Sequence, residues 1–296
     1  MNAGRAILNL AEAAGIRTVF VVGIGKNVGK TVTARAIYEA ALARGRRTGI
    51  ASIGRDGEAV DVADGTPKPQ LFLHPGTLFA TARDVLPASP AVEYVEDSRL
   101  QTAAGKLVYA RVVSGALFEL VGPPSASGVR EAVAMLESQS ETVIVDGAVD
   151  RVAALAGMPG GIIVAGGASA ASTPDEAVET MRALVQRLTV AAADPSEAAL
   201  EIDGALTPAR AAELVEARES RQVIVRDPTQ IALTGRSAVH AFARLRIRCR
   251  RPLKVLAATV ASIGRDRSFE PRSFLRAVAS ETGLPAFDVY AGERAA

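Results

Sequence analysis

Apolar and polar positions in this chain follow two different periods. Short, nearly continuous apolar runs at 18–22, 48–53, 142–150, 162–165, 222–225, 253–260 and 286–289 predict buried strands. Runs at 91–95, 107–113 and 116–121, some of them alternating, add further strands. Helical spacing predicts helices over 3–14, from Lys30 onward (with Ala34, Ile37, Tyr38 and Ala41 on one face), and over 76–85, 129–137, 207–218, 237–244 and 271–280. Another helix starts at Ser172-Thr173-Pro174-Asp175-Glu176, a cap followed by a proline and first-turn acids, and runs to about Leu188. The segment 61–75 reads as loop because Pro67, Pro69 and Pro75 punctuate it, with a short apolar run at Leu71, Phe72 and Leu73. Strands alternating with helices predict an α/β fold, a mostly parallel sheet with helices on both faces. A shift to small and polar residues around 191–197, with Pro195, divides the chain. It predicts one domain over 1–192, with strands inserted at about 61–128, and a C-terminal α/β extension or lobe over 198–296.

The junction of the first long strand and its helix carries the chemistry. Gly23, Gly25 and Gly29 permit a tight turn and close approach of the backbone, and Lys30-Thr31 opens the helix. A strand, a glycine-rich loop and a helix in this order make a phosphate cradle. Loop amides and the helix N-terminus face the anion, the Lys30 ammonium reaches the β- and γ-phosphates, and the Thr31 hydroxyl can ligate Mg²⁺. The binding set is therefore Gly23, Gly25, Lys26, Asn27, Val28, Gly29, Lys30, Thr31 and Val32. The run 142–150, TVIVDGAVD, supplies a second element, a buried strand ending at Asp146 and followed by Gly147. A carboxylate presented at that sheet edge can hold the same metal. The alternative for Asp146 is a helix N-cap. After the second strand, Asp56 is the candidate third acid, as metal ligand or as the group that positions the attacker, with Glu58 behind it; a plain Asp-Gly turn is the competing reading. The catalytic set is Lys30, Asp56 and Asp146, and the metal set is Thr31, Asp56 and Asp146.

The loop GIGKNVGKT, 23–31, resembles that of dethiobiotin synthetase and its relatives in the SIMIBI class of P-loop NTPases. Ile24 stands where the usual pattern has its first glycine. Lys26-Asn27 ahead of Gly29-Lys30-Thr31 is also similar to the molybdopterin-guanine dinucleotide adaptor family. Septum-site ATPases carry a second lysine where this chain has Gly25, with Lys26 one residue later; a homodimer is the assembly that likeness implies. Asp146-Gly147-Ala148 is similar to the acidic element of dethiobiotin synthetases, with Val149 in place of a glycine. DGAVDR, 146–151, more faintly resembles the reactivase subunit of lysine 5,6-aminomutase, a chaperone of a cobalamin- and pyridoxal-phosphate-dependent enzyme. These likenesses imply ATP and Mg²⁺ as cofactors and ATP hydrolysis as the activity. The role they imply is a nucleotide-driven adaptor, chaperone or reactivase for a metabolic protein partner. The alternative is an ATP-dependent small-molecule enzyme of dethiobiotin-synthetase type. No Asn-Lys-x-Asp guanine motif is present, which favours ATP over GTP.

Composition narrows the rest. Hydrophobic residues make up 49% and charged residues 22% of 296, with a net charge of +2, ordinary for a folded soluble chain and neutral on nucleic acid. A single cysteine, Cys249, precludes an internal disulfide and fits a cytoplasmic setting. No run reaches the ~18 apolar residues of a membrane span. Few aromatics and no ribonucleoprotein motif argue against sequence-specific nucleic-acid binding. His74, His240 and Cys249 have no metal-ligand spacing. The residues 244–250 alternate arginine with Leu, Ile and Cys, which reads as a charged edge strand before it reads as an anion-binding strip. The loop 122–128 reads as a connection ahead of an anion site. The hexapeptide ASIGRD occurs twice, at 51–56 and 261–266, each copy after a strand.

Overall fold

The computed structural model describes residues 2–54, 70–149, 155–264 and 266–290. Its main sheet has nine strands. In spatial order they are β14 (Ala286–Asp288), β13 (Lys254–Ala261), β9 (Gly161–Gly167), β1 (Thr18–Gly23), β8 (Thr142–Val149), β2 (Thr48–Ser52), β4 (Leu78–Ala82), β6 (Gly105–Val112) and β5 (Val92–Thr102). Pairing is parallel from β14 to β4 and antiparallel from β4 through β6 to β5. The expected α/β architecture is present, with a P-loop NTPase-like arrangement of sheet and helices.

Side-chain parity explains the two covered faces. On β1, Val19 and Val21 join one core and Phe20 and Val22 the other. The first core is closed by α1 (Ala3–Ala13) and α2 (Lys30–Leu42) through Ile7, Ile37 and Tyr38. The second is closed by α3 (Ala126–Gln139), α4 (Pro174–Leu188) and α7 (Pro271–Thr282) through Leu136, Met181 and Phe274. Strands buried on both faces read as continuous apolar runs, which is why the central ones are visible in the sequence. The Thr173 hydroxyl accepts the Glu176 amide at 3.2 Å and sets the start of α4.

Two segments differ from expectation. The stretch 76–85 is not a helix. It forms β4, buried throughout, followed by a single 3₁₀ turn at Arg83–Val85. Phe79 faces the first core while Leu78 and Ala80 face the second, so the run has no polar side, and five such residues carry no period that separates strand from helix. Within 61–75, taken as loop, β3 (Gln70–Leu73) pairs with β7 (Ala116–Glu119) in a small antiparallel sheet.

The segment 198–296 divides. Its end, β13, α7 and β14, belongs to the main sheet. Only β10 (Ala199–Glu201), β11 (Gln222–Val225) and β12 (Arg246–Cys249) form a second, three-stranded parallel sheet. With α5 (Pro208–Glu216) and α6 (Gly235–Arg244) it encloses its own core around Leu206, Val223, Ile231, Leu245, Ile247 and Cys249. This lobe is inserted between α4 and β13. Strand β12 lies at the sheet's edge; its Arg246, and Arg250 just past its end, form ion pairs with Glu197 and Glu201. Among the described residues, no helix is long and apolar enough to cross a membrane.

Candidate functional site

The loop between β1 and α2 lies at the C-terminal edge of the sheet's parallel strands. Asn27 and Gly29 both take left-handed backbone conformations, φ 56° and 86°. Left-handed residues of this kind are the ones from which anion nests are built. Lys26 and Asn27 are exposed, Val28 is buried, and Lys30, Thr31 and Val32 form the half-buried first turn of α2. First-turn amides have no acceptor within their own helix, so this end is predisposed toward an anion. The Lys30 Nζ reaches back over the loop and donates to the Gly25 carbonyl at 2.6 Å.

Asp146 comes to the same place from β8. Its alternation with Ile144 puts the carboxylate on the α2 face, in register with Val21 of β1 and Ser52 of β2. The Thr31 hydroxyl donates to Asp146 Oδ2 at 2.7 Å. Oδ1 is sealed from solvent and has no hydrogen-bond partner among the described residues. Burial raises the Asp146 pKa above the ordinary aspartate value, opposed by the Thr31 hydrogen bond and the Lys30 charge. A buried carboxylate oxygen without a donor beside a hydroxyl is a donor set that suits a hard divalent cation. Strand β8 continues past Asp146 to Val149 rather than ending there, and Asp146 caps no helix.

The glycine-rich loop, the start of α2 and Asp146 thus lie together, joined through Thr31. Asp56 and Glu58 lie outside the described residues. The Ser125 hydroxyl in the 122–128 loop accepts the Gly128 amide at 3.1 Å and serves as the α3 cap, in line with a connecting role. Among the described residues no group of three His, Cys, Asp or Glu side chains is placed to hold a metal.

Neighbours that sequence reasoning did not single out shape the cradle. A Cβ on Gly25 would lie 2.8 Å from the Ala170 Cβ, so the loop after β9 presses on the phosphate loop. Behind Gly29 stand Ala261 of β13 and Val289 just beyond β14; a Cβ there would lie 3.1 and 3.3 Å from them. These contacts join residues more than a hundred positions apart, and no local pattern reveals them. The two ASIGRD copies also acquire a spatial relation. They begin at the ends of β2 and β13, the second neighbours of β1 on either side. The first is tied to the site by the Ile53 amide, which donates to the Asp146 carbonyl at 2.9 Å. Just past the second, Arg267 donates to the Ala171 carbonyl at 2.8 Å.

Comparison of the chain with protein-family models, curated proteins and solved structures finds no match in any of the three. The class therefore rests on fold and site alone: an α/β protein of P-loop NTPase-like architecture with a lysine, a hydroxyl and a carboxylate gathered at its glycine-rich loop.

Proposed function

We propose that this chain binds Mg-ATP at the β1–α2 loop, hydrolyses it, and uses the cycle as an adaptor, chaperone or reactivase for a metabolic enzyme. The observation that carries the nucleotide reading is the Thr31–Asp146 hydrogen bond, with the orphaned Oδ1 beside it, beneath the helix end that Lys30 opens. Lys30 now spends its ammonium on the Gly25 carbonyl, and a β- or γ-phosphate oxygen is a stronger, charged acceptor for the same donor. The loop at Asn27 and Gly29 and the first-turn amides hold the remaining phosphate charge. Thr31 and Asp146 are the side chains that would hold Mg²⁺, directly or through water. The ion supplies neutralisation of the polyphosphate charge when bound. Asp56 is assigned the positioning of the attacking water.

The adaptor reading is supported by the β3–β7 sheet. Phe72 and Leu117 stand directly opposite each other on its ladder and are 44% and 57% exposed, an apolar pair turned outward. A cobalamin-dependent aminomutase is the partner suggested by the DGAVDR likeness. Lys30→Ala should lower Mg-ATP affinity at least tenfold by calorimetry with the circular-dichroism spectrum unchanged; unaltered affinity would count against the site. ATP turnover should rise on adding the partner enzyme. A rise caused instead by a small carboxylate substrate would make the chain a synthetase of the dethiobiotin type.

A further inference from the structure

Helix α2 starts at the glycine-rich loop with Lys30 and ends with Leu42 at the opposite edge of the sheet. There β2 and β4 separate. They pair only at Gly49 with Leu78 and at Ile50 with Phe79. Ahead of those rungs each chain is turned aside by a defined motif. On the α2 side, the Arg46 amide donates to the Ala41 carbonyl at 3.1 Å and the Gly45 amide to the Leu42 carbonyl at 2.8 Å, with Gly45 at φ 69°. That is a Schellman ending, and it occupies carbonyls that a helix end otherwise leaves open. On the β4 side, the Thr77 amide donates to the His74 carbonyl at 3.2 Å across a turn with Pro75 and Gly76 at its centre, Gly76 at φ 86°. The Gly76 amide donates to the Val112 carbonyl at 2.8 Å and the Val112 amide to the Thr77 carbonyl at 2.9 Å, which draws this turn toward β6 and away from β2. Between the two turns lies an open cleft of about 270 Å³. Leu42, Pro75 and the buried Thr48 and Thr77 line it, with Arg46 and Arg47 at its rim.

The polar groups of the floor are occupied. The Thr48 hydroxyl donates to the Arg46 carbonyl at 3.1 Å, and the Thr77 and Tyr38 hydroxyls share a hydrogen bond of 2.6 Å. The positive charge around the cleft is not fully matched. Arg44 and Arg46 share one carboxylate, Glu12, at 2.6 and 2.7 Å. The Arg47 side chain is 73% exposed, comes within 3.6 Å of Glu141, and donates no hydrogen bond among the described residues. Beside Gly76, the Arg111 guanidinium donates to Gln139 Oε1 at 2.8 Å and has no acidic partner among the described residues. Four guanidiniums thus stand against two carboxylates. An unengaged guanidinium fork takes a carboxylate or a phosphate with two parallel hydrogen bonds. The volume lies just below the roughly 300–1,000 Å³ of pockets for drug-sized ligands, which limits the occupant to a small molecule. We propose that this cleft is a second binding site, for a small organic anion: a carboxylate or phosphate monoester seated on the Arg47 fork, with a short apolar body against Leu42 and Pro75. The site stands apart from the glycine-rich loop and does not depend on what that loop binds.

The test titrates the isotope-labelled full chain with butyl phosphate, with butyrate and, as the control of opposite charge, with butylammonium. The amides of Gly45, Gly76 and Thr77 are followed by NMR. Butyl phosphate, butyrate or both should move these amides saturably, and butylammonium should not; which of the two anions binds identifies the acid group of the ligand. Arg47→Ala should weaken the anion by at least about fivefold while the urea midpoint stays as in the wild type. Glu141→Gln removes the competing charge and keeps an acceptor for the Arg47 amide, which Glu141 Oε2 now receives at 3.0 Å. It should tighten the anion by about 1.5- to 5-fold, the ordinary worth of an exposed ion pair. A response that never saturates, an equal response to all three compounds, shifts confined to Gly25 and Gly29, or unchanged affinity in Arg47→Ala would overturn the site.

Discussion

The Asp146 carboxyl ionises beneath α2, where burial holds its pKa above the ordinary aspartate value of 3.8. In the unfolded chain it gives up its proton first as pH rises, so the ligand-free fold loses stability through a window that opens near pH 3.8 and closes at the raised folded value. Below that window the contribution is fully present. Asp146→Asn should therefore flatten the stability profile above about pH 4 and unfold at higher urea than the wild type at pH 7 without ligand, measured by urea titration over a pH series. Added Mg²⁺ and ATP should reverse the order, because only the carboxylate can compensate a cation. At this scale the sequence is informative where the chemistry is contiguous. Gly23 to Val32 lies in one window, and Asp146 ends an apolar run that needs a reason to contain a charge. The packing of Ala261 and Val289 on Gly29 is not legible, since nothing local says that the ends of β13 and β14 reach the glycine-rich loop.

At the scale of elements, α1 and α2 meet backbone to backbone. A Cβ on Gly4 would lie 1.9 Å from the Ala36 carbonyl oxygen, a contact with no flexible side chain to give way. Gly4→Ala should push α1 off α2 and cost about 1–3 kcal/mol in urea unfolding, despite alanine's better helix propensity. In the small lobe, the Thr207 hydroxyl accepts the Arg210 amide at 3.3 Å and caps α5. Thr207→Ala should cost about 1 kcal/mol. Helices with a capping residue and a proline behind it, α4, α5 and α7 among them, are readable from the sequence because their start signals are local. β4 is not, since its identity comes from pairing with β2 on one side and β6 on the other. The same holds for β13: nothing in its composition says which of two sheets it enters.

At the scale of the molecule, the lobe has a core separate from the two that flank the main sheet. Cys249 is a probe of it. The thiol is fully buried in that core, donates to the Val190 carbonyl at 3.3 Å, and is pushed up to about 11 by burial, with the Asp227 charge adding to it. At neutral pH it should react slowly with a disulfide reagent such as DTNB. Ile231→Ala, which removes a lobe-core side chain at a cost of about 2–5 kcal/mol, should speed that labelling while Mg-ATP affinity, read in parallel, stays as in the wild type.

The chain enters and leaves this lobe through a single neck, where Ala192 is bridged to Cys249. One strand of the neck continues from α4 and the other leads into β13. Both elements pack on β9, whose following loop leans on Gly25. The lobe thus hangs from the two elements that also brace β9, so an insertion of this size is accommodated without breaking the parallel order of β1, β9 and β13.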